Sequence, residues 1–163
     1  MSSNKIIIAV IAFTLLIIVG GLALVSNSGP KELEVTKEVS LVTTETTHDW
    51  GNIPINDGKV SKSFEIKNEG QGTLKLNNIS TSCMCTTAQV VIGDQKSPYF
   101  CMHSNSTWVG ELPSGQVANL IVEFDPAFHG PNGVGQATRQ ILVETNDQEN
   151  PKLTFNLSGN VIK

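Results

Sequence analysis

All three cysteines of the chain, and both methionines other than Met1, fall between Cys83 and His103. They form two short runs, Cys83-Met84-Cys85 and Cys101-Met102-His103. Thiolate, thioether and imidazole together suit copper(I), and thiolate with imidazole suits zinc. In an extended segment residues two apart share a face, so Cys83 with Cys85, and Cys101 with His103, could present two pairs toward one point. That set has the ligand count of a Cys3His zinc site, or of a sulfur-rich copper site with Met102 or Met84 as accessory. His129, in the turn Phe128-His129-Gly130-Pro131, joins the candidates if its loop lies at the same end of the fold. The candidate metal ligands are therefore Cys83, Cys85, Cys101, Met102, His103 and His129, with copper(I) first and zinc second.

The same residues admit blander roles. Cysteines outside the cytoplasm usually pair, and a disulfide from Cys101 to Cys83 or Cys85 leaves one free thiol. A methionine beside a cysteine is more often a core filler than a ligand. A blue-copper electron-transfer site would also sit on a β-sandwich, but cupredoxins place Cys, His and Met in that order on one loop, with residues between them. Cys101-Met102-His103 has another order and no gaps.

Enzyme signatures are missing. The chain has no Gly-x-Ser-x-Gly elbow and no His-Glu-x-x-His, and Gly130 to Gly135 lacks the Gly-Lys-Ser/Thr of a phosphate loop. Cys83 with His103 or His129 has the makings of a nucleophile and base. Cys83-x-Cys85 could exchange disulfides, although the oxidoreductase motif has two intervening residues and a helix start. The expectation is a non-enzyme, with no small-molecule substrate evident.

The elements that must position these residues begin with the N-terminus. Ile6 to Val25 is twenty residues without a charge, and Thr14 is its only polar side chain. At helical rise that length covers roughly 30 Å, a bilayer's hydrocarbon core. Lys5 and the free amine lie before it, and Ser26-Asn27-Ser28-Gly29-Pro30 after it, which favours a short inside N-terminus. A cleaved signal peptide would have a shorter apolar run ending in small residues, for which Gly21-Leu22-Ala23 is a poor match. The expected organisation is residues 1–5 cytoplasmic, 6–25 a transmembrane anchor, 26–38 a linker and 39–163 one folded domain outside the cytoplasm. A chain of 163 residues has room for one such domain and not comfortably two.

Fifteen Asp and Glu oppose eleven Lys and Arg, with Arg139 the only arginine and no basic run. Nucleic-acid binding needs clustered positive charge to release counterions, so that partner class is disfavoured. The partners expected are the membrane, through the N-terminal helix, and a protein at the cell surface.

Beyond residue 38 the pattern is period-two alternation. Leu153, Phe155, Leu157 and Val161 face one way, and Ala118, Leu120, Val122 and Phe124 repeat the pattern. So do Phe64 with Ile66, Leu74 with Leu76, and Ile141 with Val143. Turn residues separate these runs at Asn68 to Gly72, Pro113-Ser114-Gly115, Asp125-Pro126, His129 to Gly135, and Asn146 to Pro151. No helical period follows residue 30. The fold class expected is all-β, an immunoglobulin-like sandwich of about seven or eight strands behind one transmembrane helix.

Several segments also resemble a known family in order. His48-Asp49-Trp50-Gly51-Asn52-Ile53 is similar to the x-Phe-Gly-x-Ile opening of the bacterial DUF1573 family. Phe64-Glu65-Ile66-Lys67-Asn68-Glu69-Gly70 resembles its Phe-x-x-x-Asn-x-Gly strand and turn, and Ser82-Cys83-Met84-Cys85-Thr86 its central Ser-Cys-x-Cys-Thr. Pro113-Ser114-Gly115, Val122-Glu123-Phe124-Asp125 and Thr145-Asn146 follow in the family's order, so the resemblance spans about residues 45 to 161. It implies an immunoglobulin-like fold, exported or membrane-anchored in bacteria, and transfers no activity because the family's function is not established. Met102-His103 and Phe128-His129-Gly130-Pro131 resemble segments of some members. Cys101 departs from the small residue expected there, which makes it the least secure ligand.

Function is thus expected to be soft-metal carriage, storage or sensing by a membrane-anchored module outside the cytoplasm. The alternative is a non-catalytic cell-surface interaction or scaffold domain in which the cysteines form a structural disulfide.

Overall fold

The computed structural model describes residues 7–8, 10–17 and 33–163. The chain divides into two units, Met1–Lys31 and Glu32–Lys163. In the first, the described residues are α-helical, and their large apolar side chains, from Ile7 and Ile8 to Leu16 and Ile17, are exposed. Thr14 satisfies its hydroxyl within the helix by donating to the Ile11 carbonyl at 2.9 Å. Ile6, Ala9 and the part of the expected span from residue 18 to 25 lie outside the described residues. Among the described residues, no helix is long and apolar enough to cross a membrane.

The second unit is a two-sheet β-sandwich. Its strands are β1 (Leu41–Val42), β2 (Thr47–Pro54), β3 (Val60–Asn68), β4 (Leu74–Thr81), β5 (Thr86–Ile92), β6 (Gln95–Lys96), β7 (Gly110–Leu112), β8 (Val117–Phe124), β9 (Gly135–Thr145) and β10 (Lys152–Ile162). One sheet has the order β1-β3-β8-β5-β6, the other β2-β10-β9-β4-β7. Pairing is antiparallel throughout except between β2 and β10. Seven strands run to seven residues or more, and β1, β6 and β7 are short edge pieces, so the expected strand number holds for the longer set. Among residues 33–163 the only helical segment is one 3-10 turn, Gly130–Gly133.

Alternation decides the faces. Every apolar residue expected to point inward is buried, from Phe64 and Ile66 on β3 to Phe155, Leu157 and Val161 on β10. The sheets meet where Phe64 packs on Phe155 with ring centroids 4.8 Å apart. Each such side chain contributes about 1.5–3 kcal/mol by leaving water. A smaller apolar cluster of Ile53, Cys85, Phe124, Ala137 and Val161, flanked by Trp50 and Cys83, holds the cysteine pair.

Two buried polar residues tie loops to this frame. Asn68 donates its amide to the carbonyls of Gly72 and Leu112, at 2.8 and 2.9 Å, and accepts from the Gly70 N–H at 3.0 Å. Asp147 accepts from the backbone N–H of Leu41 at 2.8 Å and of Glu149 at 2.9 Å. Thr36 pairs with Asp147, so ordered contact begins ahead of Val39.

Candidate functional site

The turn between β4 and β5 carries Cys83 and Cys85. Thr81, buried at the end of β4, donates its hydroxyl to the carbonyls of Cys83 at 2.9 Å and Thr86 at 3.0 Å. The Thr86 N–H closes the turn on the Cys83 carbonyl at 3.1 Å. Ser82 and Gln140 exchange two further bonds at 2.9 Å, fastening the turn to β9, and the Asp125 N–H donates to the Cys85 carbonyl at 2.9 Å, fastening it to the end of β8. The segment is therefore a turn, where an extended run sharing one face was expected. Curling it brings the two Cα atoms to 5.2 Å, and the cysteines pair as Cys83–Cys85.

The alternative pairing, from Cys101 to Cys83 or Cys85, is therefore not the one formed. Cys101 is a free thiol in a separate turn, with its N–H donating to the Ser104 hydroxyl at 2.6 Å and its sulfur accepting from that hydroxyl at 3.5 Å. Hydrogen bonds from Ser104 and from the His103 backbone hold its pKa below the usual thiol value. The Cys101-Met102-His103 run is also a turn, closed by the Ser104 N–H on the Cys101 carbonyl at 3.2 Å, so Cys101 and His103 do not share a strand face.

His129 does reach the cysteines. After β8, Asp125 accepts the Ala127 N–H at 2.9 Å, and the chain turns through Gly130, whose φ of +58° suits glycine. Exposed His129 then sits with Nε2 at 3.6 Å from Cys83 Sγ. Ligand atoms of Cys83, Cys85 and His129 all lie within 4.8 Å of one another, and neither Cys101 nor His103 joins that group. Met84 and Cys85 line one shallow pocket with Thr87, Glu123, Asp125 and Phe128, while Met102 is exposed in the other turn.

Arg139, on β9, completes the site and was not among the candidates. Its Nε–H donates to Cys85 Sγ at 3.0 Å, and its guanidinium lies 4.9 Å from the centroid of Phe124. Phe124 stacks in turn on Trp50, with centroids 5.7 Å apart. Burial lowers the Arg139 pKa, but an arginine keeps its charge well beyond neutral pH. Being the sole arginine was the one signal in the sequence. Its position opposite Cys85 depends on the β4–β9 pairing, Thr81 against Ile141, and no local motif encodes that.

The arrangement offers two things chemically. Reduced, the pair supplies two thiolates beside an imidazole, with a fixed cation to offset the charge. Oxidised, it presents a disulfide with one half-buried and one buried sulfur.

This turn lies inside a segment that matches a family model. Residues 41–99 match the family model of DUF1573, a protein of unknown function. The DUF1573 match takes in Ser82-Cys83-Met84-Cys85-Thr86 and bears out the resemblance read from the sequence. It stops short of Cys101, His129 and Arg139. The comparison with curated proteins found no match.

Among solved structures, the chain is similar to a protein of unknown function from Porphyromonas gingivalis W83, at 20% identity and a TM-score of 0.59. The likeness covers 77% of this chain and 49% of that one, so the chain spans about half that protein's length. A PapD-like domain of human CEP192 matches at 19% identity and a TM-score of 0.48, over 82% of this chain and 92% of that one. At such identities the first likeness speaks for the fold alone.

Proposed function

We propose that the chain is a membrane-anchored, immunoglobulin-like module outside the cytoplasm that holds a soft metal, copper(I) before zinc, at Cys83, Cys85 and His129. Its task is carriage, storage or sensing, without catalysis. The observation that carries the reading is the convergence of two cysteine sulfurs and an imidazole nitrogen within 4.8 Å, from two loops far apart in sequence.

Copper(I) accepts low coordination numbers and prefers soft donors, so two thiolates and an imidazole satisfy it. A closed zinc site wants four ligands, and this group supplies three. Met84, in the same pocket as Cys85, offers an accessory sulfur for copper. Two thiolates around copper(I) leave a net negative charge, and Arg139 beside Cys85 Sγ offsets it. Binding requires the reduced pair, because only thiolates are ligands. Support for the anchor comes from the apolar run Ile6 to Val25, whose described residues form a helix with large apolar side chains exposed.

The Cys83–Cys85 disulfide favours a second reading, a surface interaction or scaffold domain stapled at this turn. That staple would be weak. Closing a loop between residues two apart in sequence removes only about 1.5 kcal/mol of unfolded-state entropy.

Copper content of the full-length chain, purified in detergent and exposed to copper(I) under reducing conditions, separates the two. About one tightly held copper per chain, lost on Cys83→Ser, is the expected outcome. No retained copper would overturn the metal reading and leave the stapled domain.

A further inference from the structure

We propose that Cys83–Cys85 is a directional thiol–disulfide exchange pair, in which Cys83 is the sulfur a partner's thiolate attacks and Cys85 the sulfur that leaves. The inference goes beyond metal binding and stands whether or not a metal binds.

Two features assign the direction. Cys83 is half-buried at the tip of the turn, whereas Cys85 is only 3% exposed, within the cluster of Ile53, Phe124, Ala137 and Val161. A nucleophile must approach a disulfide in line with the breaking bond, so only Cys83 has a face open to an incoming thiolate. Charge stabilisation points the same way. The Arg139 Nε–H stands 3.0 Å from Cys85 Sγ, and Thr86 Oγ1 lies 3.7 Å away, both able to donate to a thiolate formed there. A better-stabilised thiolate leaves faster. When Cys83 is itself released, the Cys85 N–H, 3.2 Å from Cys83 Sγ, donates to it.

The step balances as follows. The thiolate of an exported dithiol attacks Cys83 Sγ, a mixed disulfide forms, and the Cys83–Cys85 bond breaks with its electron pair on Cys85 Sγ. The partner's second thiolate attacks its own sulfur in the mixed disulfide and releases Cys83 as thiolate. The partner leaves oxidised, and two electrons have passed to the pair. Run in reverse, the reduced pair reduces a partner's disulfide. The helix start that the usual exchange motif provides is replaced here by a guanidinium brought from another strand.

The test uses the full-length chain in detergent, in a Cys101→Ser background, with a strong chelator present so that no metal competes. Each variant is incubated with mixtures of reduced and oxidised glutathione, sampled over time until equilibrium is reached, quenched by alkylation and read by peptide mass. Cys85→Ser is expected to collect a glutathione mixed disulfide on Cys83, and Cys83→Ser to modify Cys85 at least about tenfold more slowly. Arg139→Gln is expected to shift the dithiol–disulfide equilibrium about tenfold toward the disulfide, since the reduced state loses a charge-assisted hydrogen bond. Equal labelling of the two single-cysteine variants would overturn the proposed direction. An unchanged equilibrium in folded Arg139→Gln would overturn the role of the arginine, and if that variant does not fold, the labelling ratio alone decides. Copper retention is measured separately, so neither result depends on it.

Discussion

Arg139 touches both Cys85 and Phe124, its Nε 3.0 Å from the sulfur and its guanidinium 4.9 Å from the ring centroid. A third contact, a hydrogen bond from Nη1 to the Thr138 carbonyl at 2.7 Å, sets the plane of the group. A planar cation with several donors can do all three at once, and an ammonium cannot.

Arg139→Ala is therefore expected to destabilise the domain by about 1–2 kcal/mol, through the lost cation–π contact and the lost packing of its stem. Arg139→Lys should recover less than half of that. Urea unfolding followed by tryptophan fluorescence measures both, since Trp50 stacks on Phe124. A lysine variant as stable as the parent would refute the geometric argument.

Copper(I) retention should separate the two cysteine-containing turns. His129→Ala is expected to weaken copper(I) affinity by at least about tenfold, whereas Cys101→Ser and His103→Ala leave it nearly unchanged. Competition with a coloured copper(I) chelator reads all three. If His103 mattered and His129 did not, the ligand set would have to move to the other turn.

Acid stability should depend on Asp147. Burial pushes its pKa up, but N–H donation from Leu41 and Glu149, and the Asn150 amide, outweigh that and hold the carboxyl below its usual value. A folded pKa below the unfolded one means the contribution is fully present above about pH 4 and lost as pH falls through the lower, folded value. Asp147→Ala should cost about 3 kcal/mol at neutral pH and flatten this part of the acid limb. Unfolding free energies of parent and variant measured from pH 7 downward should converge in acid. Parallel curves would exclude Asp147 as the cause.

Glycine replacements should divide by what a Cβ would meet. At Gly70 it would lie 2.5 Å from Glu38 O, Ser40 N and Val39 Cα, all backbone, so Gly70→Ala is expected to cost about 2–3 kcal/mol or to detach the Val39 segment. At Gly93 there is open space and a φ of +56°, so Gly93→Ala should cost only about 1 kcal/mol from backbone strain. Thermal unfolding of the two variants gives the order, and a reversed order would contradict the close approach at Gly70.

The sequence by itself determined the sandwich, because strand faces are written at period two and each inward residue named from the alternation, such as Phe64, Leu120, Ile141 and Phe155, is buried. It also singled out the stretch from Cys83 to His103 as the candidate centre, since soft ligands so close together stand out at any register. It offered His129 as a candidate only on condition that its loop lay at the same end, and it did not offer Arg139. His129 arrives through the turn after β8, Arg139 through the pairing of β9 with β4, and Cys101-Met102-His103 stays in a turn of its own. Such placements depend on strand order and on whether a short polar segment runs extended or curls. Both follow from packing and hydrogen bonds between residues far apart in the chain, which only the tertiary structure decides.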